Sequence, residues 1–442
     1  MPNSISNSHQ ASPDASLKHK ISPLRFIPFR KTDVIEMCLS GGQLDQHQRQ
    51  QFREVTSQIQ KLFHITFQAR LESLKESFSS INPDSDTIKV DLPSTMHNDE
   101  PSFVKQLEAL LEKANYEKIQ EETVKQALNH DSLMKVRLDV DFNDFSEILL
   151  FARGEHEKQE TIVNLWGFRK TKIRFINFER VIVFIRLHEQ IDLKRQQAFN
   201  LQPGGVILKL FKNVPKADLE MLFPNTEVKM RLIDKVLIGV PAIISGGIVI
   251  TTKLGGSLLI LASLFGFWLG VKSEPVELDK AALIVLLAGL GAVGSYLWKQ
   301  FSNFKNRKLQ FVQTLTKHLY FKNLDNNAGV FHRLINDAEE EECKEAIIAY
   351  YFLLLSPTPI TKQHLDLTIE SWLSERWGCH INFEIADALE KLHSLGLITV
   401  HDDHRLSAVK LTMAQQVLEE KWLFLGKSNT HNADITPFLH KN

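Results

Sequence analysis

The sequence predicts an α+β membrane protein: N-terminal helices plus an antiparallel sheet, a transmembrane helical hairpin, and a C-terminal helical winged-helix-like module. Three observations predict it. Apolar residues recur at helical spacing near the N-terminus, and the period then drops to two over several short stretches. Two uncharged apolar runs, 254–271 and 281–298, follow.

Residues 44–81 and 101–128 carry the helical spacing. In the second, Phe103, Leu107, Leu110 and Leu111 return every three or four positions with Lys and Glu between them, so one face is apolar. The intervening "NPDSDTIKVDLPSTMHNDEP" is polar and broken by proline, as in a loop. In "KVRLDVDF", Val136, Leu138, Val140 and Phe142 alternate with Arg137, Asp139 and Asp141, the pattern of a half-buried strand. "TIVNLW", "KIRFINF", "RVIVFIRL" and "GVILKL" follow with brief connections, which suits antiparallel pairing better than β-α units. Residues 24–225 are expected to form one α+β domain, preceded by a Ser- and Asn-rich disordered tail, 1–23.

From Val236 to Val271 is 36 residues, about 54 Å as one straight helix. A hydrocarbon core is about 30 Å thick, so a single span would need a tilt above about 50°, outside the usual range of roughly 0–40°. An interruption at Lys253 is therefore expected. Lys229, Arg231 and Lys235 precede the region, and Lys299, Lys305, Arg307 and Lys308 follow it. Clustered cations favour the cytoplasmic side, which puts both flanks inside and makes the crossings even in number. Within a membrane region of 236–298, the spans are then 254–271 and 281–298. Residues 236–252 are re-entrant or interfacial, and Lys253 marks the inner boundary. Residues 299–335 read as a basic juxtamembrane helix. Lys209, Lys212 and Lys216 are expected at anionic headgroups together with Lys253, Lys299, Lys305, Arg307 and Lys308, so the lipid bilayer is an expected partner. Ala262, Gly266 and Gly270 repeat every four residues, as do Ala288 with Ala292 and Gly291 with Ser295. Small residues at that spacing let helices approach closely, within the hairpin or in a homo-oligomer. The N-terminal 22 residues hold no arginine and carry Asp14, which favours a bacterial inner membrane over a mitochondrial one.

The module at 336–426 opens with "DAEEEECKEAIIAYYFLLLS", read as a helix whose solvated acidic start suits the positive end of its dipole. "TKQHLDLTIESWLSERWG", "NFEIADALEKLHSLGLI" and the hairpin "ITVHDDHRLSAVKL" complete the order of a winged helix, and 427–442 are a flexible tail. The third helix presents Glu384, Asp387 and Glu390, with Lys391 as its single formal cation. A DNA-reading helix needs cations for phosphates, so a protein partner is expected and nucleic acid is disfavoured.

Signals of chemistry are weak. A G-x-G-x-x-G at Gly289, Gly291 and Gly294 has no acidic residue before Asp325 to hold a ribose. Cys379–His380 and the "HDDH" at 401–404 can ligate metal, but polar tips are ordinary turns. Cys38, Cys343 and Cys379 form no close pair, and a net charge of −1 gives no global pull on a polyanion. Asp139, Asp141 and Asp144 are the carboxylates an enzyme would draw on, although strand alternation explains the first two. No catalytic residue, metal or cofactor is assigned.

Three long stretches, "LKLFKNVPKADLEMLFPN" (208–225), "GVPAIISGGIVITTKLG" (239–255) and "YFKNLDNNAGVFHRLINDAEEEECKEAIIAYYFLL" (320–354), resemble the family called domain of unknown function 3754. That family includes transmembrane protein 143. The resemblance implies a membrane protein with a paired-helix segment toward the C-terminal half, and it supplies no activity. The expectation is a multi-pass, membrane-anchored interaction or regulatory protein with both soluble domains on the inner side. Its rivals are a transporter or channel subunit built from glycine-faced hairpins, and a membrane-associated enzyme.

Overall fold

The computed structural model describes residues 23–86, 102–120, 137–163, 170–229, 262, 265–270 and 280–428. In chain order the elements are helices α1 (Lys31–Leu39), α2 (Gln46–Ser79) and α3 (Phe103–Lys113), then strands β1 (Glu117–Lys118), β2 (Arg137–Asp139), β3 (Phe145–Val163) and β4 (Lys170–Leu187). Next come α4 (Leu193–Phe199), β5 (Val206–Pro215), β6 (Glu227–Lys229), α5 (Lys280–Lys322) and β7 (Asn323–Asn326). The chain ends with α6 (Ala328–Leu355), α7 (Lys362–Trp377), α8 (Ile385–Leu395), β8 (Ile398–Val400), β9 (Leu406–Ala408) and α9 (Leu411–Ser428).

Two compact units result. The first draws on 1–123, 143–216 and 322–442, so the N-terminal helices, the main sheet and the C-terminal helices belong together. Its five-stranded sheet has the order β1-β3-β4-β5-β7, antiparallel throughout. Helices α2 and α6 each serve two apolar cores. In one core Phe52, Val55 and Ile59 of α2 meet Ile347, Tyr350 and Tyr351 of α6, with Leu365 of α7, Leu392 of α8 and Leu418 of α9. In the other, Phe67, Leu74 and Phe78 of α2 join Leu107 and Leu111 of α3, Ile182 and Phe184 of β4, Leu208 and Leu210 of β5, and Phe331 and Leu334 of α6. Phe331 packs edge-on to Phe78 at 5.4 Å and to Phe103 at 6.1 Å, favoured aromatic geometries.

Local chemistry sets the element ends. Asp45 and Gln48 form a reciprocal capping box at the start of α2. Helix α3 stops at Lys113, short of the expected 128, because Asn115 takes a left-handed φ of 57°. Tyr116 N–H then returns to the Leu111 carbonyl at 2.9 Å, closing the helix end. Expected strands "KIRFINF" and "RVIVFIRL" are one 18-residue strand, β4, and "TIVNLW" supplies only the end of the 19-residue β3. Gly154 makes that length tolerable: its φ is 75°, and a Cβ there would lie 2.7 Å from Glu179 Cγ.

The second unit draws on 124–142 and 217–321. In it β2 pairs antiparallel with β6, and Phe142 stands edge-on to Phe223 at 5.4 Å.

Among the described residues, no helix is long and apolar enough to cross a membrane. This corrects the expected membrane-protein class and its transmembrane helical hairpin; the α+β class with an antiparallel sheet stands. The expected span 281–298 is no element of its own. It is the first part of the 43-residue α5, which runs unbroken through Lys299 and Lys305. Of the expected span 254–271, residues 262 and 265–270 are described and end in a turn at Gly270, φ 74°. Residues 236–252 and Lys253 lie outside the described residues, as do the tails 1–22 and 429–442. The expected basic helix 299–335 is also interrupted: β7 and a turn at Asn327, φ 46°, separate α5 from α6.

Phe331→Ala is expected to destabilise the protein by about 3–5 kcal/mol, since it empties a site shared by two rings. Urea unfolding followed by near-UV circular dichroism checks this.

Candidate functional site

Helix α6 contributes Val330–Ala338 to one core and Ala346–Leu353 to the other. Between them lies "EEEECKE", residues 339–345, where Glu339, Glu341, Glu342, Lys344 and Glu345 are all buried. This corrects the solvated helix start read from the sequence. The helix begins at Ala328, so the acidic run sits in its middle, where both flanking stretches are buried.

Each buried charge has partners from distant parts of the chain. Glu339 accepts from Lys31 Nζ at 2.9 Å and lies 3.0 Å from His64 Nδ1. Glu341 accepts from the Ile27 N–H at 3.0 Å and from Lys344 Nζ at 2.8 Å. Lys344 also donates to the carbonyls of Ile27, at 2.7 Å, and Phe29, at 3.1 Å, which ties an N-terminal strap to α6. The strap is further held where Leu24 pairs with the 380–382 backbone and Arg25 with Glu384. Below the run, Asp337 pairs with Arg180 and lies 3.5 Å from Arg153.

Lys391 of α8 is the hub. Its Nζ lies 2.9 Å from Glu342, 2.8 Å from Glu345 and 2.8 Å from Asp387. Lys113 reaches Glu342 at 3.1 Å, and Asn115 donates to Glu345 at 2.8 Å. The three carboxylates thus face two ammonium groups, Lys391 and Lys113, and the nearby Arg70 guanidinium, whose charge acts on Glu342 and Asp387. Glu345 is the most enclosed of the three. Burial pushes its carboxyl up to about 7, against the pull of Lys391. Burial also works against the Lys391 ammonium, but Glu345, Glu342 and Asp387 outweigh it and hold its pKa above the ordinary lysine value.

The residues singled out from the sequence fall elsewhere. Lys209 and Lys212 are exposed on β5, while Lys216 is half-buried, 3.8 Å from Glu155. Lys299 and Lys305 are exposed on α5; Lys253 and the side chains of Arg307, Lys308 and Ala292 lie outside the described residues. Ala262, Gly270, Ala288, Gly291 and Ser295 are exposed, and a Cβ added at Gly266, Gly270 or Gly291 would meet nothing within 4 Å. Gly289, Gly291 and Gly294 sit inside α5 rather than in a phosphate-cradling loop. Asp144 is buried in a two-pronged pair with Arg195, Oδ2 lying 2.6 Å from Nη2, which makes it a structural group. Asp141 offers its carbonyl to Asn225 Nδ2 at 2.7 Å, and the side chain of Asp139 lies outside the described residues. The "HDDH" tip is exposed, with His401 Nε2 2.9 Å from Ser407 Oγ. Among the described residues, no group of three or more His, Cys, Asp or Glu is arranged to hold a metal ion. The belt on α6 escaped the sequence reading, and its one local signal was "AIIAYYFLLL", apolar on every face, which marks a fully buried helix.

Lys391→Met leaves buried carboxylates without their cation and is expected to cost about 3–5 kcal/mol. Glu345→Gln tests the raised carboxyl of that residue. Because folded Glu345 holds its proton more tightly than the unfolded chain, from 4.5 up to about 7, its contribution is complete below about pH 4.5. That contribution is lost as pH climbs through 7. The variant should flatten the stability profile between pH 5 and 8, measured by urea unfolding beside the parent protein.

No solved structure matches this chain. A family match covers residues 178–329, from β4 through α5 and β7 to the first turn of α6. It bears on the family as a whole and not on the likeness to transmembrane protein 143. Across that segment the chain is similar to the family described as Protein of unknown function (DUF3754).

Proposed function

We propose that the protein is an interaction or regulatory protein whose C-terminal module, α6–α9 with the β8–β9 hairpin, binds a protein partner bearing a basic face. The observation that carries this reading is the fate of Lys391. It is the single formal cation of α8, the helix that would enter a nucleic-acid groove, and its side chain is 8% exposed, held by Glu342, Glu345 and Asp387. No formal cation of α8 is left to face a phosphate. Glu390 is exposed on the same helix, and Asp387 keeps 38% of its side chain open beside it. An acidic face of this kind steers a basic partner and repels a polyanion.

A photo-cross-linking residue at the exposed His393 should yield adducts destroyed by protease and resistant to nuclease, and Glu390→Lys should abolish them. Nuclease-sensitive adducts, or duplex DNA binding tighter than the non-specific range of about 10⁻⁴–10⁻⁶ M at physiological salt, would overturn the reading.

A further inference from the structure

A second feature lies beside the strap and apart from the Lys391 hub. A cavity of about 250 Å³ is enclosed by Leu24–Phe26, the Asn115–Gln120 segment, Ala152–Glu155 of β3, Phe178 and Lys216. Its volume lies just below the roughly 300–1,000 Å³ of drug-sized sites. Only a small polar molecule fits.

The lining carries the cations Arg25, Lys118, Arg153 and Lys216 and the carboxylates Glu117 and Glu155; Glu108, Glu384, Asp337 and Glu341 meet three of the cations from outside it. Arg153 is 8% exposed; its guanidinium lies between the rings of Phe26 and Tyr116, at 4.8 and 4.9 Å, and donates to the Ala114 carbonyl at 3.0 Å. That clamp makes it a rigid floor, its charge facing Asp337 at 3.5 Å and Glu341 at 3.8 Å. The two ion pairs formed by lining residues with one another are loose. Arg25 Nη1 lies 3.7 Å from Glu117 and Lys216 Nζ lies 3.8 Å from Glu155, both too long for direct hydrogen bonds. Lys118, by contrast, is held by Glu108 at 2.8 Å, and Arg25 has a closer partner in Glu384. Lys216, whose carboxylate contact is loose, and Arg25, whose Nη1 stays 3.7 Å from Glu117 while its Nε holds Glu384, match a ligand with two negative charges that displaces both loose contacts.

We propose that this cavity binds the phosphate group of a small phosphorylated molecule, with Lys216 and Arg25 as its ligands above the Arg153 floor. Because residues 24–26 form one wall, occupancy also holds the strap in place.

Isothermal titration of the full chain at pH 8, where a phosphate monoester is doubly charged, tests this with inorganic phosphate and glycerol 3-phosphate at constant ionic strength. Saturable binding at one site is expected. Lys216→Gln should weaken it about tenfold, the loss of one charge-assisted hydrogen bond. Glu155→Gln should tighten it by removing a competing anion, and exposed Lys209→Gln should leave it unchanged. The opposite signs at 216 and 155 separate loss of a ligand from loss of folding. No saturable heat with either probe, or equal affinity in the Lys216 and Lys209 variants, overturns the proposal.

Discussion

One lysine shared among three carboxylates, two of them at the middle of a buried helix, is the constraint on which the first unit depends. Lys391 comes from α8, its partners Glu342 and Glu345 from α6, and the adjoining Lys113 and Asn115 from the end of α3. Burying such groups is expensive, and an apolar replacement of the whole set can be neutral or better. Their consequence is choice of neighbour: each must meet its own partner, or an uncompensated charge stays in the interior. An apolar face tolerates slippage, whereas these contacts do not.

The belt also explains why distant parts of the chain form one unit. Ile27 and Phe29 lend backbone groups to Glu341 and Lys344, more than three hundred positions away. Those contacts saturate carboxylate and ammonium groups that α6 cannot satisfy alone, so the N-terminal strap completes the C-terminal module rather than decorating it. The two apolar cores on either side of the belt then share α2 and α6. Displacement of the strap would strip Glu341 and Lys344 of partners, which couples the cavity wall at Leu24–Phe26 to the interior of the module.

A single physical theme links the cavity and the belt. Arg153 sits between them: its guanidinium lines the cavity, is stacked by Phe26 and Tyr116, and approaches Asp337 and Glu341 on α6 at 3.5 and 3.8 Å. Charge introduced into the cavity is therefore felt by the belt through a short, desolvated path where screening is weak.

By itself the sequence determined what depends on local periodicity and composition. The helical spacing of 44–81 contains α2, and the strand patterns at 180–187 and 206–210 lie within β4 and β5. The order of three helices and a hairpin in the last hundred residues follows from the same short-range rules. Apolarity alone misled at 281–298, because a run of leucine, valine and alanine reads alike in a lipid span and in the first part of the longer helix α5. The acidic run misled for the opposite reason: charge density suggests solvent, but whether Glu339–Glu345 meets water depends on what packs against α6 from residues 27, 113 and 391. Only the tertiary structure decided that, because an ion pair's partner is set by distance in space, and no local pattern records which far segment will arrive.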